Sequence, residues 1–261
     1  MNLSRPAVTI DRMNRIGSSV IRFDSITSTN DVAREMADNP ASEGTVIVAR
    51  EQTAGKGRQG RSWFSPPDDG LYFSVILGSG LRPSSLPFIS LAAAVAVAEA
   101  LASEYSLKPD IKWPNDVMVG GRKVCGILLE SATEADRVQY AVLGIGINLA
   151  GSSRLPEHIQ TTSTTLLAET GVAIRPDQLL QTLMDKLTHW CKLADTDRDS
   201  VIRKWESLSS YARECSVRII SSNSSFEGIT RGLAPGGALR VENSDGMVHE
   251  IASGEVSLRR V

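Results

Sequence analysis

Thr45-Val46-Ile47-Val48-Ala49 runs without a break into Arg50-Glu51-Gln52-Thr53-Ala54-Gly55-Lys56-Gly57-Arg58-Gln59-Gly60-Arg61-Ser62-Trp63-Phe64-Ser65-Pro66-Pro67, and the join decides how the chain is read. The first stretch is short and β-branched, as a strand should be. The second carries three cations in six positions, Lys56, Arg58 and Arg61, among glycines that let a backbone wrap closely round a ligand. Gly55, Gly57 and Gly60 satisfy GxGxxG, and the segment comes within one residue of a P-loop. Both of those phosphate sites need a helix starting at the loop, so that its amides and dipole face the anion. Here Trp63 and Phe64 lead into Pro66-Pro67, where a helix cannot continue because proline lacks the amide and crowds the preceding turn. The dinucleotide and P-loop readings therefore fail on context. What remains is a flexible cationic loop, neutralised nearby only by Glu51 and suited to an anion. Taken alone, a solvated surface loop that happens to be basic accounts for it nearly as well.

Outward from this loop the periodicity is mixed. Strands are expected at Val20 to Asp24, Leu71 to Leu77, Asp110 to Trp113, Val124 to Glu130 and Gln139 to Ile147. Ser28 or Thr29 caps a helix through Met36, with Asp31 in its first turn, where the macrodipole favours an acid. Pro87 opens a long helix with a small alanine face. Helical periodicity returns at Thr161 to Ala168, Pro176 to Ala194 and Arg198 to Tyr211. This order fits an α+β layer better than regular βαβ alternation. From Arg213 onward come closely spaced short strands, at Ser216 to Ser221, Ser225 to Leu233, Ala238 to Val241, Met247 to Ile251 and Val256 to Arg260. Ser222-Asn223-Ser224, Pro235-Gly236-Gly237 and Ser244-Asp245-Gly246 separate them, which reads as a small appended β-barrel. The expected division is residues 1–212 and 213–261.

With 261 residues and 41% hydrophobic side chains the chain can bury a full core. Its formal net charge of −2 offers no global field to attract nucleic acid. Cys125, Cys191 and Cys215 form no CxxC pair, and His158, His189 and His249 form no ligand spacing. A reducing, cytoplasmic compartment is expected, and no resident metal site. Arg5, Asp11, Arg12, Arg15 and Arg22 interrupt the N-terminal region, so no secretion signal is expected. The most apolar window, Leu91 to Leu101, reads as too short to span a bilayer.

Lys112-Trp113-Pro114-Asn115-Asp116 joins two strand-like runs, and Pro-Asn-Asp is good turn chemistry by itself. A hairpin through Gly120-Gly121 would return Lys123 alongside that turn, setting an ammonium, a carboxylate and an amide round one pocket. An ordinary hairpin corner with an exposed lysine fits these residues equally well.

Taken in order, Ser28-Thr29-Asn30, Gln52 through Arg61, Lys112 to Asp116, Arg122 to Glu130, Gly144-Ile145-Gly146-Ile147-Asn148 and Gly228 to Leu239 resemble the biotin protein ligase family. The resemblance runs from about Phe23 to the C-terminus. It implies a central mixed sheet packed with helices, the class II synthetase-like biotin/lipoate ligase fold, followed by an SH3-like barrel. It also implies an enzyme that uses ATP and Mg2+ to convert biotin to biotinyl-AMP and passes the biotinyl group to a lysine of a biotin carboxyl carrier protein. By the same resemblance Ser28, Thr29, Asn30, Gln52, Lys56, Gly57, Arg58, Lys123 and Gly126 bind biotin. Lys56, Arg58, Arg61, Trp63, Asn115, Lys123 and Asn148 face ATP or the adenylate, and Lys123, Arg58 and Asp116 are catalytic. Lys56 departs from the family's first loop arginine and loses a planar two-pronged donor. A homodimer through the central sheet is compatible with the pattern, and no membrane partner is expected. Twenty-seven residues before Ser28 are too few for a DNA-reading three-helix domain, so a repressor is the weaker alternative. The nearer alternative is a lipoate or octanoate ligase or transferase of the same superfamily.

Overall fold

The computed structural model of the chain describes residues 16–37, 39, 42–78, 81–134, 136–151, 155–220, 225–252 and 257–260. The Ser222-Asn223-Ser224 turn, Val256 and the N-terminal stretch through Arg15 lie outside the described residues.

The elements in chain order are β1 (Ser19–Ile26), α1 (Thr29–Ala37), β2 (Thr45–Gln52), β3 (Gly70–Ile76), α2 (Leu86–Tyr105), β4 (Asp110–Lys112), β5 (Asp116–Val119), β6 (Arg122–Glu134) and β7 (Arg137–Asn148). They continue with α3 (Glu157–Gln160), α4 (Leu166–Thr170), α5 (Pro176–Thr196), α6 (Arg198–Ser207), β8 (Arg213–Ile220), β9 (Ser225–Leu233), β10 (Leu239–Asn243), β11 (Val248–Ile251) and β12 (Ser257–Arg260). β1 to β7 form one mixed sheet in the order β1-β2-β3-β7-β6-β5-β4. Among the described strands of this sheet β1 and β2 alone pair in parallel, and α1 supplies the crossover that a parallel pair requires. The later strands form a second, antiparallel sheet in the order β11-β10-β9-β8-β12, the SH3-like unit that the closely spaced turn signals indicate.

α2 is buried nearly all round, from Phe88 and Ile89 through Leu91–Ala98 to Ala100 and Leu101. Its alanines permit a close approach, so it packs against α5 and α6 on one side and β6 on the other. With the preceding turn it is long and apolar enough to cross a membrane by length and composition. It thus exceeds the short apolar window visible in the sequence, but the protein itself covers it, as befits a core helix. One continuous apolar core takes in Leu91 of α2, Trp205 of α6 and Val217 of β8, so the small sheet is packed onto the helices.

The helix expected over Arg198 to Tyr211 stops at Ser207, where residues 208–210 turn to hydrogen-bond β4 instead, and two further elements depart from the sequence reading. β5 was hidden inside what reads as a turn: Lys112 and Asp116 pair directly across Trp113-Pro114-Asn115, whose Trp113–Pro114 bond is cis, and the chain continues at once as a strand. The helical period at Thr161 to Ala168 yields to tertiary pairing. The Lys123 N–H donates to the Thr162 carbonyl and the Thr164 N–H to the Lys123 carbonyl, both at 2.8 Å, so after a turn at Thr161–Thr162 residues 163–165 run alongside β6. Only then does Thr165 cap α4, accepting from the Ala168 amide at 3.2 Å.

The packing of α2 predicts that Ala94→Leu destabilises the fold by about 1–3 kcal/mol, since extra methylenes have nowhere to go. In urea unfolding the midpoint should fall while the slope stays unchanged.

Candidate active site

A cavity of about 1000 Å³ crosses one end of the large sheet. Its wall is read off the strand order: Gln52 at the end of β2, Gly144 and Gly146 on β7, Gly126 to Leu128 on β6, Asp116 and Met118 on β5, and Lys112 on β4. Residues 56–58 and 61–64 of the cationic loop and residues 158–159 and 161–163 complete it.

At the β2 end the lining is a buried polar network. The Thr29 N–H and hydroxyl both donate to Gln52 Oε1, at 2.8 and 3.1 Å, and Gln52 Nε2 donates to Ser65 Oγ at 2.9 Å. Ser74 Oγ lies 2.7 Å from Thr29 Oγ1 and 2.5 Å from Asn30 Oδ1, while Asn30 Nδ2 donates to Glu130 Oε2 at 2.6 Å. Ser28, Thr29 and Asn30 are all buried at the α1 start. Buried amides and hydroxyls interlocked in this way keep a fixed orientation, as a site that recognises polar groups by geometry requires.

In the middle, Gly126 and Gly146 face one another in register across β6 and β7, and the Trp63 indole lies on them. A Cβ at Gly146 would come within 2.4 Å of Trp63 Nε1, and one at Gly126 within 2.8 Å of its ring. The indole therefore rests directly on the bare sheet, and its outer face makes a flat apolar wall for the slot in the middle of the cavity. Gly144 serves the polar end: a Cβ there would sit 2.2 Å from Asn30 Oδ1.

The loop that carries Trp63 is a tight hairpin. Lys56 and Ser62 bridge, the Gly57 N–H donates to the Arg61 carbonyl at 2.6 Å, and the Trp63 N–H donates to Gly55 O at 2.8 Å. Its tip, Arg58–Gly60, turns through positive φ at Gln59 and Gly60. This geometry directs the cations into the cavity. Lys56 pairs with Asp31, and Arg58 donates to Asn115 Oδ1 at 3.2 Å. Asn115 is itself fixed, donating to the Ile127 carbonyl at 2.7 Å. Lys123 pairs with Asp116 at 2.6 Å and stands 5.0 Å from the centre of the Trp63 ring. The hairpin expected through Gly120-Gly121 thus forms, and it brings ammonium, carboxylate and amide together. Burial and the neighbouring Arg61 lower the Arg58 guanidinium's affinity for its proton, against a smaller opposing pull from Asp116. Arginine nonetheless stays charged, so this cation is held where an incoming anion would relieve it.

Of the residues expected from the sequence, Ser28, Thr29, Asn30, Gln52, Lys56, Gly57, Arg58, Arg61, Trp63, Asn115, Asp116, Lys123 and Gly126 line this one cavity. Asn148 is not among the residues that line it: it is buried, and its amide donates to the Thr164 carbonyl at 3.0 Å, so it braces the wall segment 163–165. Lys112, His158 and Tyr211 also line the cavity without having been singled out. Lys112 stands inside the quoted motif, whereas His158 and Tyr211 carry no local signal. Cys125 and Cys191 are fully buried, and burial pushes both thiols up, Cys191 to about 12, so neither acts as a nucleophile. No cluster of three or more His, Cys, Asp or Glu that could hold a metal occurs among the described residues.

A family model described as the biotin/lipoate A/B protein ligase family matches residues 21–148, and one described as the biotin protein ligase C terminal domain matches residues 216–259. The bifunctional ligase/repressor BirA of Bacillus subtilis is 32% identical over 252 residues, covering 93% of this chain and 75% of that protein. The chain belongs to the biotin protein ligase family. Another member, the biotin--[acetyl-CoA-carboxylase] ligase of Paracoccus denitrificans, is 38% identical over 174 residues, covering 65% of this chain and 71% of that one. Among solved family structures, the biotin protein ligase from Aquifex aeolicus in complex with biotin and ATP superposes with a TM-score of 0.79 at 31% identity, covering 94% of this chain and 100% of that one.

The two facing glycines give this family member a local test. Gly146→Ala should displace the indole, red-shift the tryptophan emission and lower stability by about 1–3 kcal/mol. Trp113 lines the same cavity and Trp190 and Trp205 are buried in the core, so a Trp63→Phe background assigns the signal: the red shift of Gly146→Ala should vanish there, and a shift that persists would locate the disturbance at another tryptophan.

Proposed function

We propose that this chain is an ATP-dependent biotin ligase that forms biotinyl-5'-AMP and transfers the biotinyl group to a lysine of a biotin carboxyl carrier protein. One observation carries the reading: a fixed polar network, a flat apolar slot and a set of cations follow one another along a single cavity. That sequence of environments matches a molecule with a polar ring at one end, an apolar body and a carboxylate at the other. Thr29, Asn30 and Gln52, with Ser28, meet the ring, while Gly126 and the Trp63 face hold the body.

In the first step a biotin carboxylate oxygen attacks the α-phosphorus of ATP, and pyrophosphate leaves. Two anions must meet, so the protein's contribution is positioning and charge neutralisation. Lys123, Arg58 and Lys56 stabilise the charge that grows on the α-phosphoryl oxygens, and Arg61 and Asn115 help hold the nucleotide. Magnesium enters as part of the MgATP substrate. In the second step the acceptor amine attacks the acyl carbon and AMP departs; Asp116 orients that amine and takes its proton. The hairpin that lays Trp63 on the slot also excludes water, which would otherwise hydrolyse the mixed anhydride. Residues 1–212 carry this chemistry and 213–261 form the accessory unit. The buried free thiols fit a cytoplasmic setting, and the net charge of −2, with cations gathered inside a cavity, favours a reading with neither a DNA nor a membrane partner. A homodimer through the β1 edge of the central sheet is compatible with the topology, since the β4 edge is covered by residues 208–210.

The purified chain given MgATP and biotin should release pyrophosphate and label a carrier domain; with lipoate or octanoate in place of biotin it should not. Pyrophosphate release with lipoate but not biotin would transfer the assignment to the sister activity. Lys123→Ala should slow adenylation by about a hundredfold or more while biotin affinity, followed by calorimetry, changes far less. Turnover equal to the parent's would remove Lys123 from the chemistry.

A further inference from the structure

Lys112 ends β4, the outermost strand of the large sheet, and its ammonium stands 5.8 Å from the centre of the Tyr211 ring. Tyr211 does not belong to that sheet. It comes from the connector between α6 and β8, and β4 holds that connector closely. The Ile111 N–H donates to the Leu208 carbonyl at 2.9 Å, Ser209 Oγ donates to the Ile111 carbonyl at 2.6 Å, and the Ser210 N–H and hydroxyl donate to the two Asp110 carboxylate oxygens at 2.7 and 2.6 Å. The Tyr211 N–H then donates to Ser209 Oγ at 3.2 Å, and the residue is 8% exposed. A segment so anchored presents its ring in one place.

We infer that Tyr211 is a positioning residue that holds Lys112 where the pyrophosphate of the adenylation step departs. The inference rests on the adenylate-forming reading above and extends it to the leaving group. Along the cavity wall the order is Gln52 on β2, Lys123 on β6, then Lys112 on β4. With the acid entering from the β2 side and its carboxylate at Lys123, in-line displacement expels the leaving group on the side opposite the attacking oxygen, onward toward β4. Lys112 is the cross-strand partner of Asp116, and the Asp116 carboxylate pairs with Lys123, so the two lysines belong to one stretch of the cavity wall. An aromatic face suits the remaining task, because its quadrupole attracts the ammonium while leaving the positive charge intact for a phosphate.

The test separates the two half-reactions of the full chain. Tyr211→Leu should raise the KM for ATP in adenylation about three- to tenfold, the range of a partly desolvated cation–π contact. It should raise the KM for pyrophosphate equally in the reverse reaction, in which biotinyl-AMP and pyrophosphate re-form ATP. Biotin affinity and transfer from preformed biotinyl-AMP to a carrier domain should stay at the parent's level, since pyrophosphate has gone by then. Tyr211→Phe should behave as the parent, Lys112→Gln should reproduce the loss, and Tyr211→Leu added to Lys112→Gln should make it no worse. A pyrophosphate KM unchanged in both Tyr211→Leu and Lys112→Gln, or a transfer step slowed as much as adenylation, overturns the inference. Should Tyr211→Leu fail to fold, Tyr211→Phe and Lys112→Gln still decide: a changed pyrophosphate KM in the former or none in the latter sinks it. A parent enzyme that releases no pyrophosphate sinks the functional reading instead.

Discussion

The ammonium of Lys123 is held from two sides, by the Asp116 carboxylate at 2.6 Å and by the face of Trp63 at 5.0 Å. Three separate segments must arrive for this to happen. Asp116 comes from β5, Lys123 from the returning strand β6, and Trp63 from a hairpin more than fifty residues earlier in the chain. Pairing a lysine near an apolar slot keeps the desolvation of its charge tolerable, and the indole adds attraction without a second negative charge. The glycines at 126 and 146 serve the same end, because only a sheet surface without side chains lets the indole lie low enough. Lys123, once set, fixes where an acid and a phosphate can meet.

Much of this was legible from local chemistry. Alternation and turn residues located most strands, and Pro66-Pro67 ruled out a helix after the cationic loop, which the hairpin confirms. A hairpin through Gly120-Gly121 offered the meeting of Lys123 with Asp116, but joining it to Lys56, Arg58 and Arg61 rested on the family resemblance, since each segment alone also fits an ordinary surface turn. What escaped depends on long-range pairing. β5 could not be separated from the turn before it, since only its partner β6 reveals where pairing starts. Residues 163–165 fall within a helical period, but Thr162 and Thr164 exchange hydrogen bonds with Lys123, so a tertiary contact decides the conformation there. Asn148 reads as a cavity residue from its motif, yet its amide is spent on the Thr164 carbonyl. Ser74 is a lone hydroxyl in an apolar strand, and nothing local announces that it closes the Thr29–Asn30 network.

The two ends of the cavity solve different electrostatic problems. At the β2 end the partners are neutral apart from Glu130, hydrogen-bonded to one another and buried or half-buried, so their orientation is already set when a ligand arrives. At the cationic end, burial and Arg61 act against the Arg58 charge. A concentration of like charge in a half-buried place raises the free energy of the site without an anion more than that of the site with one, and the difference appears as affinity for phosphate. The carboxylates of Asp31 and Asp116 moderate this by pairing with Lys56 and Lys123. They set how strongly the site draws its anion rather than whether it does.

The small sheet acquires a part in the same problem through its connector. β4 has three residues and lies at the edge of the large sheet, where unpaired backbone groups are a liability. Leu208, Ser209 and Ser210 cover that edge and satisfy Asp110 and Ile111, so the segment that leads into β8 also finishes the catalytic sheet. Tyr211 follows directly and lines the cavity. With the second sheet packed on α2 and α6 through one shared core, displacement of the small unit would pull on the connector, and the first cavity residue to move would be Tyr211. Among the described residues none of that sheet lines the cavity, so the connector, through its hydrogen bonds to β4, is what joins the small unit to the far end of the cation row.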